Sequence, residues 1–196
     1  MRSLKKELLR SFIAIDLESQ ILDQILTIQK ALLDTSADIK LVEPENIHLT
    51  LRFLGEKPLS IINKISEELK SLNFYSTEVS VSGVGAFPNM RRIRVVWVGI
   101  KKGVLDLMGI YNQVESKLKR LGVSPDDRGF SPHITIARVR SARNKDKLVE
   151  TILRMRKKEF GTFHLDSLKI KKSFLTPKGP VYTTLTEVKA KTRSTS

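Results

Sequence analysis

The word His-apolar-Thr-apolar occurs twice in this chain, as His48-Leu49-Thr50-Leu51 and as His133-Ile134-Thr135-Ile136. A histidine carries that pattern by accident only about 1% of the time at this Thr and apolar content, so finding it at two of the three histidines marks a duplicated piece of structure. Alternation of period two is the strand signature. It puts His48, Thr50 and Arg52 on one face of the first strand, with Ile47, Leu49, Leu51 and Phe53 directed into the core. In the second copy His133 and Thr135 share a face, and Ile134 and Ile136 anchor the other.

The flanking segments recur in a similar order in both halves. Residues 10–17 (RSFIAIDL) read as a strand, 18–33 as a helix with Ile21, Leu22, Ile25, Ile28 and Leu32 at helical spacing, 39–42 as a short strand, and 47–54 as the first motif strand, stopped by Gly55. A helix from Pro58 to residue 72 follows, then a hairpin of strands 74–87 and 92–100, and a helix over 104–121. After a polar loop come the second motif strand (133–139), a helix (146–155), and strands near 161–165, 168–175 and 181–188. This pattern predicts an α+β protein of two pseudo-symmetric lobes, with antiparallel sheets lining a central groove and helices packed outside. Residues 10–188 are expected to form one bilobal domain, 1–9 an N-terminal extension and 189–196 a flexible tail.

Composition narrows the function classes. The 196 residues contain no Cys, which excludes disulfides, a thiol nucleophile and Cys-based zinc or iron–sulfur sites. No apolar stretch approaches the roughly 20 residues of a membrane helix. The basic and apolar start is interrupted at Asp16 with no small-residue cleavage site after it, so a cytoplasmic protein is expected. The formal net charge of +14 produces a field that attracts polyanions, nucleic acid first among them.

Two imidazoles converging from related lobes suit acid–base chemistry near neutral pH without a metal or cofactor: one takes a proton from water while the other protonates a leaving oxygen. The hydroxyls of Thr50 and Thr135 can donate hydrogen bonds to phosphoryl oxygens. Phosphodiester cleavage needs that division of labour. His164 lacks the following Thr and reads as an ordinary surface or core histidine, and a His-based zinc site lacks an evident third ligand.

Paired His-x-Thr-x words in a chain of this size resemble the two-histidine phosphoesterases, in particular the RNA 2′,3′-cyclic phosphodiesterase (2′-5′ RNA ligase-like) branch. The resemblance runs through Arg10-Ser11-Phe12-Ile13-Ala14-Ile15, Glu45-Asn46-Ile47-His48-Leu49-Thr50-Leu51-Arg52-Phe53-Leu54-Gly55, Gly85-Ala86-Phe87-Pro88-Asn89, Arg128-Gly129-Phe130-Ser131-Pro132-His133-Ile134-Thr135-Ile136-Ala137-Arg138 and Leu175-Thr176-Pro177-Lys178-Gly179-Pro180-Val181-Tyr182. It implies metal-independent hydrolysis of RNA 2′,3′-cyclic phosphates to 2′-phosphomonoesters, with the reverse 2′-5′ joining open by microscopic reversibility. It also implies His48 as proton donor, His133 as proton acceptor, and Thr50 and Thr135 as phosphoryl-oxygen ligands. Arg52, Arg128 and Arg138 stand as substrate-binding candidates, and Phe130 either stacks on a base or plugs the core. The expected partner is RNA with a cyclic phosphate end, bound by a monomer. A small cyclic nucleotide as substrate, or a catalytically silent RNA-end-binding module, are the alternatives.

Other words carry less. Gly83-Val84-Gly85 lacks the third glycine of a nucleotide loop and reads as a bulge or a close backbone approach. Arg91, Arg92 and Arg94 either line the groove or form a solvated hairpin. Lys169, Lys171 and Lys172 read as solvated protection of a sheet edge.

Overall fold

Where apolar residues recur every three or four positions the chain coils, and where they recur every second it extends. A computed structural model describes residues 7–126, 129–177 and 179–191. In chain order it contains β1 (Leu8–Ile15), α1 (Ser19–Leu33), β2 (Ile39–Leu41), a 3-10 turn (Pro44–Asn46), β3 (Leu49–Pro58), α2 (Leu59–Lys70), β4 (Thr77–Asn89), β5 (Arg92–Lys102) and α3 (Val104–Arg120). Then come β6 (His133–Val139), α4 (Lys145–Arg154), β7 (Glu159–Leu165), β8 (Ser167–Thr176) and β9 (Gly179–Lys189). The expected elements are all present, with boundaries that shift by a few residues, and three of the differences are structural. β1 begins at Leu8 and buries Leu9, inside the segment expected to be an extension. β3 passes through Gly55, whose φ of +70° bends the strand without ending it, and stays paired with β1 as far as Leu8↔Pro58. Past β9, the Ala190 N–H donates to the Asp166 carbonyl at 2.7 Å and Lys191 bridges to Tyr75, so the segment expected to be a tail is held through residue 191.

The nine strands form one sheet in the order β7-β4-β5-β6-β3-β1-β8-β9, with β2 added beside β6, and all the pairings between named strands are antiparallel. It divides into two four-stranded halves, β3-β1-β8-β9 and β6-β5-β4-β7, each with its motif strand innermost. The halves meet at Leu49↔Ile134, both fully buried. Helices cover one face: α1 packs on β6, β7 and α4, and α4 on β4, while α2 packs on β1, β3 and β9, and α3 on α2. Each buries a stripe set by its sequence, such as Ile21, Ile25, Ile28 and Leu32 on α1 and Leu107, Ile110, Val114 and Leu118 on α3. Two helices cross over: α1 follows a strand of one half and covers the other, and α3 does the reverse. No helix is long and apolar enough to cross a membrane among the described residues.

One irregularity decides which side chains reach the open face. β1 opposes β3 through Ile13↔Arg52 and Ala14↔Thr50, so Leu51 is an extra residue. β5 opposes β6 through Val96↔Ala137 and Trp97↔Thr135, so Ile136 is extra in the same way. A bulge of this kind restarts the alternation one residue late. Arg52 and Ala137 are therefore buried, at 7% and 0% exposure, while Phe53 and Arg138 emerge. The expectation that Arg52 shares a face with His48 while Phe53 enters the core is reversed, because strict period two cannot see the bulge.

Candidate active site

The register Leu49↔Ile134 between antiparallel strands sets His48 across from Thr135 and Thr50 across from His133. The four motif side chains thus surround a pseudo-twofold axis through one buried aliphatic pair. Both imidazoles are held alike. His48 Nδ1 lies 2.8 Å from the Asn46 carbonyl oxygen and His133 Nδ1 lies 2.7 Å from the Ser131 carbonyl oxygen. Each carbonyl belongs to the residue two before the histidine and can only accept, so each ring places its proton on Nδ1 and leaves Nε2 for the groove. Nε2 of His48 is 2.9 Å from the Thr50 hydroxyl, which donates to it while the ring is neutral. The Asn46 side-chain amide donates to the Pro180 carbonyl at 3.0 Å, tying the turn before His48 to the β8–β9 hairpin.

Each histidine also sits in an aromatic box drawn from distant strands. The His48 ring stacks on Phe12 at a centroid separation of 4.9 Å, and Tyr182 meets it edge-on at 5.5 Å. Phe53, brought to the open face by the bulge, lies 6.1 Å from Phe12. On the other side Phe87 meets the His133 ring edge-on at 5.0 Å and Trp97 stands at 6.4 Å. The Trp97 indole is possible only because of a glycine: a Cβ on Gly85 would come within 2.3 Å of its ring. Gly83-Val84-Gly85 accordingly combines a bulge, with Gly83 skipped in the β4–β5 register, and a close approach.

The two environments differ electrostatically. Burial lowers the His48 pKa to about 4; the carbonyl of Asn46 opposes that shift, the Lys171 charge adds to it and Asp16 opposes it. Lys171 is buried and pairs with Asp16, which also accepts from Lys169 at 2.9 Å. Burial would raise the Asp16 carboxyl, but the hydrogen bonds and charges of these two lysines outweigh it and hold the group below the usual carboxylate range. The reading of Lys169, Lys171 and Lys172 as edge protection is therefore replaced: β8 lies between β1 and β9, and Lys171 is part of the floor beside His48. Burial raises the Tyr182 phenol, against the nearby charges of Arg138 and Arg10.

The remaining candidates separate. Arg138 is exposed on the open face, with a charge that reaches Tyr182. Arg52 lies on the helix side. Its Nε donates to Glu115 of α3, its guanidinium donates to the Phe53 carbonyl and, at 2.6 Å, to the Ser124 carbonyl, and Asp126 lies 3.8 Å away. It thereby fastens the loop that leads to His133 onto the strand that follows His48. Phe130 stacks on Tyr111 of α3 at 4.8 Å and packs against the core, which is the plug arrangement. Arg128 lies outside the described residues. His164 is exposed, 3.7 Å from Glu18. Phe12, Tyr182, Phe87, Trp97 and Asn46 join the site without having been singled out as site residues; all but Trp97 lie in the segments that carry the resemblance, but nothing local links Phe12 or Tyr182 to His48. Among the described residues no group of three His, Asp or Glu side chains is placed to hold a metal ion.

The sequence matches the family described as LigT like Phosphoesterase over residues 15–97 and 99–182. It is 43% identical over 156 residues to an RNA 2′,3′-cyclic phosphodiesterase of Aeropyrum pernix, covering 80% of this chain and 89% of the relative. It is 36% identical over 178 residues to one of Methanothermobacter thermautotrophicus, covering 89% and 95%. The fold superposes on the crystal structure of E. coli LigT complexed with 3′-AMP with a TM-score of 0.76 at 25% identity, covering 94% of this chain and 99% of that one. With the family matched through both motif strands, and with close relatives aligned over most of both chains, this chain belongs to the LigT-like phosphoesterase family.

Proposed function

We propose that the protein is an RNA 2′,3′-cyclic phosphodiesterase that converts a terminal 2′,3′-cyclic phosphate into a 2′-phosphomonoester by two-histidine acid–base catalysis. The observation that carries this reading is the quartet of His48, Thr50, His133 and Thr135 around one axis, with both Nε2 atoms facing the groove, in a chain whose curated relatives bear that name.

His133 Nε2 accepts a proton from water, the water oxygen attacks phosphorus, the bond from phosphorus to O3′ breaks, and His48 delivers a proton to O3′. Attack and departure on opposite sides of phosphorus match two histidines facing each other from opposite lobes. The Thr hydroxyls donate to the non-bridging oxygens, where negative charge builds up in the transition state. Arg138 supplies a positive charge toward the same phosphoryl group. His48 is neutral in the free protein at pH 7, so its proton arrives with the substrate: the phosphate anion opposes the burial that empties Nε2. The reverse reaction, joining the cyclic phosphate to a 5′-hydroxyl as a 2′-5′ linkage, uses the same groups with acid and base exchanged.

The test is turnover of a short RNA with a 2′,3′-cyclic phosphate end by the wild-type protein and by His48→Ala and His133→Ala. Each substitution is expected to lower kcat by at least about a hundred-fold. Full activity in either variant rejects the two-histidine mechanism.

A further inference from the structure

We infer that Arg10 and Lys40 form a second anion site at the Tyr182 end of the groove, which takes the phosphodiester on the 5′ side of the terminal nucleotide and so selects polynucleotide ends over cyclic mononucleotides. The inference rests on the phosphodiesterase reading and adds to it a second recognised group and two residues outside the motifs.

Three elements bring the charges together. Arg10 stands two residues before Phe12 on β1, whose own alternation is uninterrupted because the extra residues of this pairing belong to β3. It therefore shares the open face with Phe12, about 7 Å further along the strand at the usual rise, while Phe12 itself carries the His48 ring. Lys40 comes from the other half: it pairs with Arg138 across β2 and β6, and its Nζ lies 3.7 Å from the place a Cβ on Gly179 would occupy. Gly179 leads into Pro180 and Tyr182 of β9. Tyr182 is thus approached by Arg10 from one lobe and by the Arg138 and Lys40 pair from the other, consistent with the influence of Arg10 and Arg138 on its phenol.

The balance of charge along the groove favours this end. Lys169 and Lys171 share Asp16, and Lys169 also lies 3.9 Å from Glu187. Arg10 and Lys40 have no carboxylate within ion-pairing distance among the described residues. Glu56 stands opposite Arg10 across the β1–β3 pair without an ion pair to it, and Lys40 stands opposite Arg138, so positive charge outweighs negative at this end of the groove, where the next phosphate of a chain whose end occupies the site arrives. A cyclic mononucleotide has no such phosphate and gains nothing from Arg10 and Lys40.

The experiment compares a short RNA with a 2′,3′-cyclic phosphate end and the cyclic mononucleotide of the same terminal base. The proteins are the wild type, Arg10→Gln, Lys40→Gln and the double variant, each checked by its melting temperature. The ratio of kcat/KM for RNA over mononucleotide is expected to fall at least ten-fold in the double variant. The slope of log affinity against log salt for RNA is expected to shrink by about 0.7, as one phosphate is no longer neutralised. An unchanged ratio, or equal loss on both substrates, overturns the inference. Anisotropy binding of an RNA ending in an unreactive 3′-phosphate reads the same two residues without turnover, and there the double variant is expected to bind at least ten-fold more weakly. Failure of the wild type to turn over either cyclic substrate defeats the phosphodiesterase reading instead, while the binding comparison still decides the role of Arg10 and Lys40.

Discussion

Leu49 of β3 and Ile134 of β6 face each other across the junction of the two half-sheets, and their pairing places each motif histidine opposite the other motif's threonine. Both aliphatic side chains are fully buried, so the axis of the site is fastened from the core side. The open face above it carries chemistry because neighbours on each motif strand alternate between the two environments.

Arg52 is expected to matter for stability before it matters for substrate. Replacing it with Ala leaves Glu115 without this cation and the Ser124 carbonyl without its donor, and breaking a buried pair from one side typically costs about 3 kcal/mol or more. Arg52→Lys, which keeps the charge but loses the planar fork, should fall in between. Urea unfolding measures both; a loss below about 1 kcal/mol for Arg52→Ala would show that the clamp is not holding the loop.

The depressed His48 pKa has a thermodynamic consequence. The unfolded chain takes up a proton at His48 near pH 6.5 and the folded protein only near 4. In that window the unfolded state binds more protons, so the stabilisation is complete above about 6.5 and is lost as pH falls toward 4. Between pH 7 and 5 the loss from this group should be about 2 kcal/mol. It should be absent in His48→Gln. An NMR titration of the imidazole should show a midpoint near 4 that rises when a phosphate-terminated nucleotide binds; a midpoint above 6 in the free protein would contradict the burial argument.

Trp97 is the only tryptophan, so its fluorescence reports directly on the box around His133. A Gly85→Ala side chain has no room beside the indole and must displace it. The emission should shift, and kcat should fall about ten- to a hundred-fold as His133 loses its support. An unshifted spectrum with full activity would mean that the cradle is slack.

Much of the architecture was legible from local signals. Period two at the motif words and three-to-four spacing in α1 and α3 identify elements because each must bury one face. The duplicated word also announced the pseudo-symmetry and the four central side chains. The bulges at Leu51 and Ile136 were not legible, since an extra residue depends on the opposing strand and leaves no mark in its own sequence. Arg52 and Phe53 exchanged sides for that reason. The aromatic boxes were hidden for a related one: Tyr182 reaches His48 only after β8 and β9 have been laid against β1, which brings together segments far apart in the chain.

The reaction itself is read by incubating the purified protein with an RNA ending in a 2′,3′-cyclic phosphate, in the presence of EDTA, and resolving the position of the product phosphate by chromatography. Turnover to a single 2′-phosphomonoester is expected, because departure of O3′ is the step proposed for His48. A 3′-phosphate product, or turnover that requires added metal, would contradict this expectation.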